Sequence, residues 1–256
     1  MEKELLKNKK TDQYFTNIYQ KQFLPNNKIL KTDNKNYLII EERETETIWL
    51  WTKNNLDNDT KKEITKELIN KNLLQNKSNI ICKKELYDYL ITNKIKVKGQ
   101  LPLKMYICSK IKNIKQAQGF FNKANYSDKI ILSKYYQNNL KETKNIDIEI
   151  SLALEIIANY LKQECIYVFR NSQGLTTAMA TITLNGNQAL ITNVYTKKES
   201  RLKGYCTSLM YNLTKILLEK NLVPILITDY DNISANKVYQ KVGYQEQEIL
   251  INITNI

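Results

Sequence analysis

The run Val194-Tyr195-Thr196-Lys197-Lys198-Glu199-Ser200-Arg201-Leu202-Lys203-Gly204-Tyr205-Cys206 leaves an apolar strand, crosses a basic loop and enters a helical pattern. A helix that begins near Gly204 leaves its first turn of N–H groups without intrahelical partners, and its macrodipole adds partial positive charge at that end. The junction therefore suits an anion, above all a phosphate. Gly204 has no Cβ to hold a phosphate oxygen away from the amides, while Lys197, Lys198, Arg201 and Lys203 surround the loop with positive charge. Taken alone, the same residues also fit an ordinary basic turn before a helix.

The flanking sequence supplies the context. Upstream, Cys165 to Arg170 turns through Ser172, Gln173 and Gly174 into Leu175 to Leu184, and Asn185-Gly186 is a two-residue hairpin signal leading into Gln188 to Tyr195. An antiparallel meander thus feeds the loop. Before it, Lys129 to Ser133 reads as a short strand, and Ile150, Leu154, Ile157 and Leu161 form one stripe of a helix over Ile146 to Leu161. Downstream, Val223 to Thr228 is an apolar strand containing Pro224, and Asp231 to Tyr244 is a capped helix that ends at Gly243.

Two motifs in this region resemble the GNAT superfamily of acyl-CoA-dependent N-acyltransferases. The family's pyrophosphate loop, Q/RxxGxG/A, corresponds to Arg201-Leu202-Lys203-Gly204-Tyr205-Cys206, with Cys206 departing from glycine or alanine. The family's later helix, NxxAxxxYxxxGF/Y, is matched by Asn232, Ala235, Tyr239, Gly243 and Tyr244. The resemblance covers about residues 128–256. It implies a mixed, mostly antiparallel twisted sheet flanked by helices, with the pantetheine arm of acetyl-CoA lying between two splayed strands. Val194, Tyr195 and Thr196 would line that arm, and Arg201, Leu202, Lys203, Gly204, Tyr205 and Cys206 would hold the pyrophosphate. Asn232 would contact pantetheine or cap its helix, Ala235 would sit on the cofactor side of that helix, and Tyr239 would place its hydroxyl near the thioester sulfur. A protonated phenol can act as general acid toward a departing thiolate. No metal and no nucleophilic side chain is implied, so Cys165 and Cys206 are expected to be packing residues. Core packing is the alternative for Tyr239.

The base that takes the proton of an acceptor amine is not specified. Asp229 and Asp231 are candidates, although a turn or capping role suits both better. Thr192 or Asn193 ordering a chain of waters would also serve.

The preceding sequence carries no comparable motif. A helical pattern runs through residues 2 to 22, Tyr37 to Glu41 and Thr47 to Thr52 form a hairpin, and a helix spans about Asp57 to Leu74. Strands at Asn79 to Cys82 and around Leu103 to Cys108 enclose a helix at Lys83 to Thr92. An α/β domain over 1–112 follows, with 113–127 as a connection and 128–256 as the acyltransferase domain. The strand and helix order of 1–112 is that of a shortened, degenerate copy of the same fold. Trp49 and Trp51 share one face of a strand, where they pack in the core or line an acceptor cleft.

Composition bounds the function. A chain of 256 residues holds one large domain or two, and its formal net charge of +13 invites a nucleic-acid partner. The lysines are spread along the whole chain rather than clustered, which favours a solvated surface; a non-catalytic module binding RNA or another polyanion is the weaker alternative. With no histidine and with Cys82, Cys108, Cys165 and Cys206 scattered, zinc constellations and Cys-His or Ser-His relays are excluded. No stretch has the length of a membrane span, so a cytoplasmic location with reduced thiols is expected. The acceptor amine is not encoded in any residue.

Overall fold

Helix α1 (Gln13–Lys21) and strands β1 (Lys28–Thr32), β2 (Tyr37–Glu42) and β3 (Thr47–Thr52) open the chain. β2 and β3 are rich in aromatic and β-branched residues, which suit a pleated surface covered on both faces. Then follow α2 (Asn58–Asn70), β4 (Asn79–Lys83), α3 (Lys84–Thr92), β5 (Lys98–Gly99), β6 (Leu103–Ile107) and β7 (Gly119–Lys123). The remainder comprises α4 (Lys129–Lys144), α5 (Ile150–Lys162), β8 (Ile166–Asn171), β9 (Thr176–Asn185), β10 (Gln188–Thr196), α6 (Tyr205–Glu219), β11 (Val223–Asp229), α7 (Ile233–Val242) and β12 (Gln245–Thr254). This computed structural model describes residues 12–21, 27–42, 46–74, 79–99 and 102–254. The helical pattern read over residues 2–22 lies outside the described residues except for Asp12 to Lys21.

Two units make up the chain: Met1–Met105 with Ile227–Asn232 and Glu246–Ile256, and Tyr106–Leu226 with Ile233–Gln245. In the first, β1, β2 and β3 form an antiparallel meander, and α2 crosses over to place β4 parallel to β3, from Thr47↔Asn79 to Leu50↔Cys82. β12 then pairs antiparallel with β4 from Leu250↔Lys83 to Ile253↔Ile80. One side chain set (Tyr37, Ile39, Ile48, Leu50, Ile80) packs with Ile64, Leu68, Leu86 and Leu90 of α2 and α3. α1 covers the other face, where Phe15 meets the Trp51 ring at 4.6 Å and Lys21 Nζ lies 4.3 Å from the Trp49 ring. The two tryptophans are therefore packing residues beneath α1.

In the second unit β8, β9 and β10 form another antiparallel meander, with β7 on its outer side, and α6 crosses over to β11, parallel to β10. Ala189, Ile191, Leu209, Leu213, Leu226, Tyr239 and Val242 join the sheet to α6 and α7, and Leu132, Tyr135, Ile157, Leu161, Val168 and Met179 join its other face to α4 and α5. The result is a three-layer sandwich of helices, sheet and helices. Its meander, crossover helix, parallel strand and following helix repeat the connectivity of the first unit.

Three readings change. Lys129 to Ser133 is the first turn of α4, not a strand: Leu132, Tyr135 and Asn139 are buried at helical spacing, a stripe that a five-residue window cannot show. The connection 113–127 contains β7, where Phe121 stacks on Tyr167 at 5.6 Å. It is also docked on the second unit, Lys112 N–H donating to Val242 O at 2.8 Å and Ala117 N–H to Ser208 Oγ at 2.8 Å. Finally, the contiguous division 1–112 and 128–256 differs from the observed one, because Ile251 and Ile253 near the chain end bury their side chains in the core of the first unit.

Lys83 organises that unit. Almost fully buried, its Nζ donates to Asp12 Oδ2 at 3.1 Å and Asn54 Oδ1 at 2.7 Å and pairs with Glu248 Oε1 at 3.0 Å. Asp12 in turn accepts the Trp51 indole N–H at 2.8 Å. Removing the cation leaves two carboxylates crowded without compensation, so Lys83→Met should cost about 3–5 kcal/mol, read as a lower urea midpoint. A midpoint equal to that of the parent would show the network to be energetically idle.

Candidate functional site

β10 and β11 pair over Gln188↔Val223, Ala189↔Pro224 and Leu190↔Ile225, and there the register ends although β10 continues to Thr196. Just beyond, the β9–β10 ladder shifts between Thr192 and Tyr195, and Asn193 adopts φ +50°. A bulge thus bends β10 away at the point where its parallel partner is lost.

The loop that follows uses few of its amides in backbone hydrogen bonds among the described residues. Arg201 N–H closes a turn on Lys198 O at 3.2 Å, and Ser208 N–H makes the first bond of α6, to Gly204 O at 2.9 Å. Among the described residues nothing accepts from the N–H groups of residues 202–207. Leu202 at φ +61° and Gly204 at φ +82° are both left-handed, and the loop leads into the positive end of a helix, where an anion is favoured. Leu202, a branched side chain in the left-handed region, is fully exposed at the tip, an outlier that stability does not require.

Arg201 is tethered. Its Nε donates to Thr196 O at 3.0 Å, its Nη2 to Glu142 Oε2 on α4 at 2.6 Å, and its guanidinium lies 5.6 Å over the Tyr195 ring. Lys198 Nζ approaches the same carboxylate at 3.7 Å. Glu142 was not foreseen: it is remote in sequence from the loop and lies between the strand read at Lys129 to Ser133 and the helix read from Ile146. The Thr196 carbonyl, expected to be open, is occupied by Arg201. Tyr195 turns its ring the other way, 5.4 Å from Tyr135, whereas Val194 packs with the cluster that contains Tyr239.

Tyr239 is 5% exposed, with ring centroids of Tyr106 and Tyr244 at 6.2 and 6.0 Å. Burial, then the Cys206 and Tyr106 groups beside it, push its phenol well above the ordinary value. No hydrogen bond to its hydroxyl is made among the described residues. Tyr244, equally buried, bonds Thr214 Oγ1 at 2.8 Å. Burial pushes the Cys206 thiol up to about 11, partly offset by the Thr196 hydroxyl, and raises Cys165 as well. Neither is a thiolate at neutral pH. All four cysteines are free thiols.

Ala235 packs with the Tyr239 cluster, and Gly243, at φ +124°, ends α7 where an added Cβ would lie 2.5 Å from Lys110 O. Asn232 immediately precedes α7 and, like Asp229 and Asp231, falls in the stretch grouped with the first unit. Its N–H donates to Asp229 O at 3.1 Å, a turn role for that backbone.

Comparison with known proteins fits this geometry. The family model of FR47-like proteins, a GNAT-type family, matches residues 169–251, which span the meander, the loop, α6 and α7. That part of the chain matches a GNAT-type family model. Solved structures show the same fold at low identity. An acetyltransferase from the GNAT family of Colwellia psychrerythraea is 10% identical, with TM-score 0.59 over 95% of this chain and 97% of its own. A GCN5-related N-acetyltransferase from Kribbella flavida is 10% identical, TM-score 0.61, over 94% and 93%. One from Sphaerobacter thermophilus is 8% identical, TM-score 0.58, over 85% and 75%. No curated protein matches the sequence. The chain shares the GNAT fold of these structures, and among the described residues no helix is long and apolar enough to cross a membrane.

Within the second unit the two buried tyrosines differ in their hydrogen bonding. Tyr244→Phe removes half of a buried pair and should lower stability by about 1–3 kcal/mol. Tyr239→Phe removes a hydroxyl with no protein partner and should change it by less than about 0.5 kcal/mol. Urea titration of both variants checks the contrast; a larger loss for Tyr239→Phe would mean that the phenol is structural.

Proposed function

We propose that the chain is an acetyl-CoA-dependent N-acetyltransferase that passes the acetyl group directly to a primary amine of a small molecule, peptide or protein. The observation that carries this reading is the row of unpaired N–H groups from Leu202 to Thr207 beside the unpaired stretch of β10. A pyrophosphate would take the amides, and an extended arm with amide groups would complete the free edge of β10 beyond Leu190, the backbone of Val194 included. In this reading Arg201 exchanges Glu142 and the Thr196 carbonyl for phosphate oxygens, and Lys197, Lys198 and Lys203 contribute charge without fixed contacts. The small side chain of Cys206 keeps the first turn of α6 approachable. Tyr205, Leu202 and Lys203 act through their main chain.

Acyl transfer joins the acceptor nitrogen to the thioester carbonyl carbon and breaks the bond to sulfur. Tyr239, held as a phenol by burial, donates its hydroxyl to the sulfur as negative charge develops there. Its raised pKa makes it a weaker acid than an exposed tyrosine, so the hydrogen bond rather than early proton transfer is its contribution. Cys206 beside Tyr239 is protonated and Cys165 packs on the opposite face of the sheet, which favours direct attack by the amine over an acyl-enzyme.

The first unit repeats the connectivity without the site. At the start of its crossover helix Asp57 accepts the Thr60 N–H at 2.7 Å and Oγ1 at 2.9 Å, and Asp59 adds a second negative charge. Carboxylates stand where a phosphate would need donors. One acetyl-CoA per chain is expected.

Millimolar acetyl-CoA should raise the melting temperature, since a ligand that binds only the folded state stabilises it by RT ln(1 + [L]/Kd), and calorimetric titration should give one equivalent. Tyr239→Phe should retain that shift while lowering turnover by about 10²–10⁴-fold. Absence of any shift at millimolar cofactor would end the proposal.

A further inference from the structure

Arg201 fills a place on the free edge of β10. Lys197 N–H donates across the β9–β10 ladder to Thr177 O at 3.0 Å, and Tyr195 pairs with Met179 in the same register. Successive residues of an antiparallel strand turn their N–H and C=O groups to opposite sides, so those of Thr196 turn away from β9. On that side the ladder with β11 has already ended at Leu190↔Ile225. The Thr196 carbonyl left there accepts from Arg201 Nε at 3.0 Å. The chain has folded its own guanidinium onto the edge.

What holds it there is Glu142. Its Oε2 accepts from Arg201 Nη2 at 2.6 Å, so one guanidinium bridges a backbone carbonyl and a carboxylate. Lys198 Nζ lies 3.7 Å from the same carboxylate, and the guanidinium rests 5.6 Å over the Tyr195 ring, itself 5.4 Å from Tyr135 of α4. Glu142 continues the helical spacing of the buried Leu132, Tyr135 and Asn139, and the packing of that stripe carries it to the loop. The helix gains nothing from it. Glu142 lies in the last turn of α4, flanked by Lys141 and Lys144, where the macrodipole favours cations and opposes a carboxylate. A residue that breaks the local rule in this way is there for its partner.

The competition for Thr196 O is unequal. A hydrogen bond from a charged donor is about twice as strong as one between neutral groups, and Arg201 also keeps its bond to Glu142. A neutral amide N–H of an extended arm therefore does not displace it. A phosphate does, because its oxygens take the guanidinium in a fork of charge-assisted bonds and so free the carbonyl. We propose that Arg201, held by Glu142, is a specificity-determining gate on the edge of β10, which admits a pantetheine thioester only when the donor carries phosphate. This deepens the acetyl-CoA reading and rests on it. Arg201 is then a barrier against phosphate-free thioesters as well as a phosphate contact.

The two roles differ in sign. A residue that only contacts phosphate leaves a phosphate-free ligand untouched, whereas a gate obstructs it. The test is calorimetric titration of the full chain with acetyl-CoA and with S-acetylpantetheine, which carries the same arm and thioester without phosphate. Arg201→Ala should weaken acetyl-CoA at least about tenfold and tighten S-acetylpantetheine about fivefold, the difference between a charged and a neutral competitor for one carbonyl. Glu142→Gln keeps the guanidinium but loosens its anchor, and should tighten acetyl-CoA about two- to fivefold. With the parent chain, inorganic pyrophosphate should itself tighten S-acetylpantetheine about fivefold, a coupling that vanishes in R201A. S-acetylpantetheine that is weakened, unchanged or still unbound at millimolar concentration in R201A overturns the proposal, as does an E142Q chain that binds acetyl-CoA no more tightly than the parent. The absence of coupling to pyrophosphate in the parent overturns it without any variant. In each of these cases acetyl-CoA still binds the parent; if it does not, the donor reading and this one fall together.

Discussion

Pairing between β10 and β11 covers Gln188↔Val223 to Leu190↔Ile225 and then stops, and the geometry of the second unit follows from that stop. Two parallel strands joined by a crossover helix ordinarily pair along their shared length. Here Asn193, at φ +50°, inserts a bulge that turns β10 aside. The backbone groups left over cannot remain unsatisfied in a buried position without cost, so the free edge has to face water or an extended ligand. The same deflection delivers the chain into the loop whose amides, from residue 202 to 207, have no partner among the described residues. Edge and loop are consequences of one bend.

The first unit shows what happens without it. β3 and β4 stay paired from Thr47↔Asn79 to Leu50↔Cys82, almost the full length of both, and Asp57 satisfies the leading N–H group of the crossover helix from within. The interior beyond is tied by Lys83, Asp12, Glu248 and Trp51. The same connectivity thus supports an open junction in one unit and a closed one in the other. The difference lies in a few residues at the strand-to-helix turn.

Those residues are local, which is why the sequence alone marked the strand, loop and helix of this junction. Gly204, Arg201 and the Asn232 to Tyr244 run each express a short-range requirement of backbone or spacing, and the meander before them is punctuated by Asn185-Gly186. What escaped was non-local. β12 joins the first unit because Ile251 and Ile253 complete a core laid down some 200 positions earlier, and nothing in its own pattern names its neighbours. α4 was misread because its buried stripe spans Leu132 to Asn139, longer than the apolar run that attracts the eye. Glu142, which tethers Arg201, is meaningful only once α4 lies beside the loop.

That tether also sharpens what the net charge of +13 means. Of the cations at the loop, Arg201 and Lys198 face Glu142, and Lys197 lies 3.6 Å from Glu199. In water such exposed pairs contribute little to stability, with a median of about 0–1 kcal/mol. Their effect is on orientation: a guanidinium parked between a carboxylate and the Thr196 carbonyl is pre-positioned at the loop instead of sampling solvent. The fixed part of the site is therefore the backbone, set by two left-handed residues, and the charged side chains are its adjustable rim. A basic surface spread over the whole chain could attract many anions; what is particular to this spot is a loop with two left-handed residues at the start of a helix.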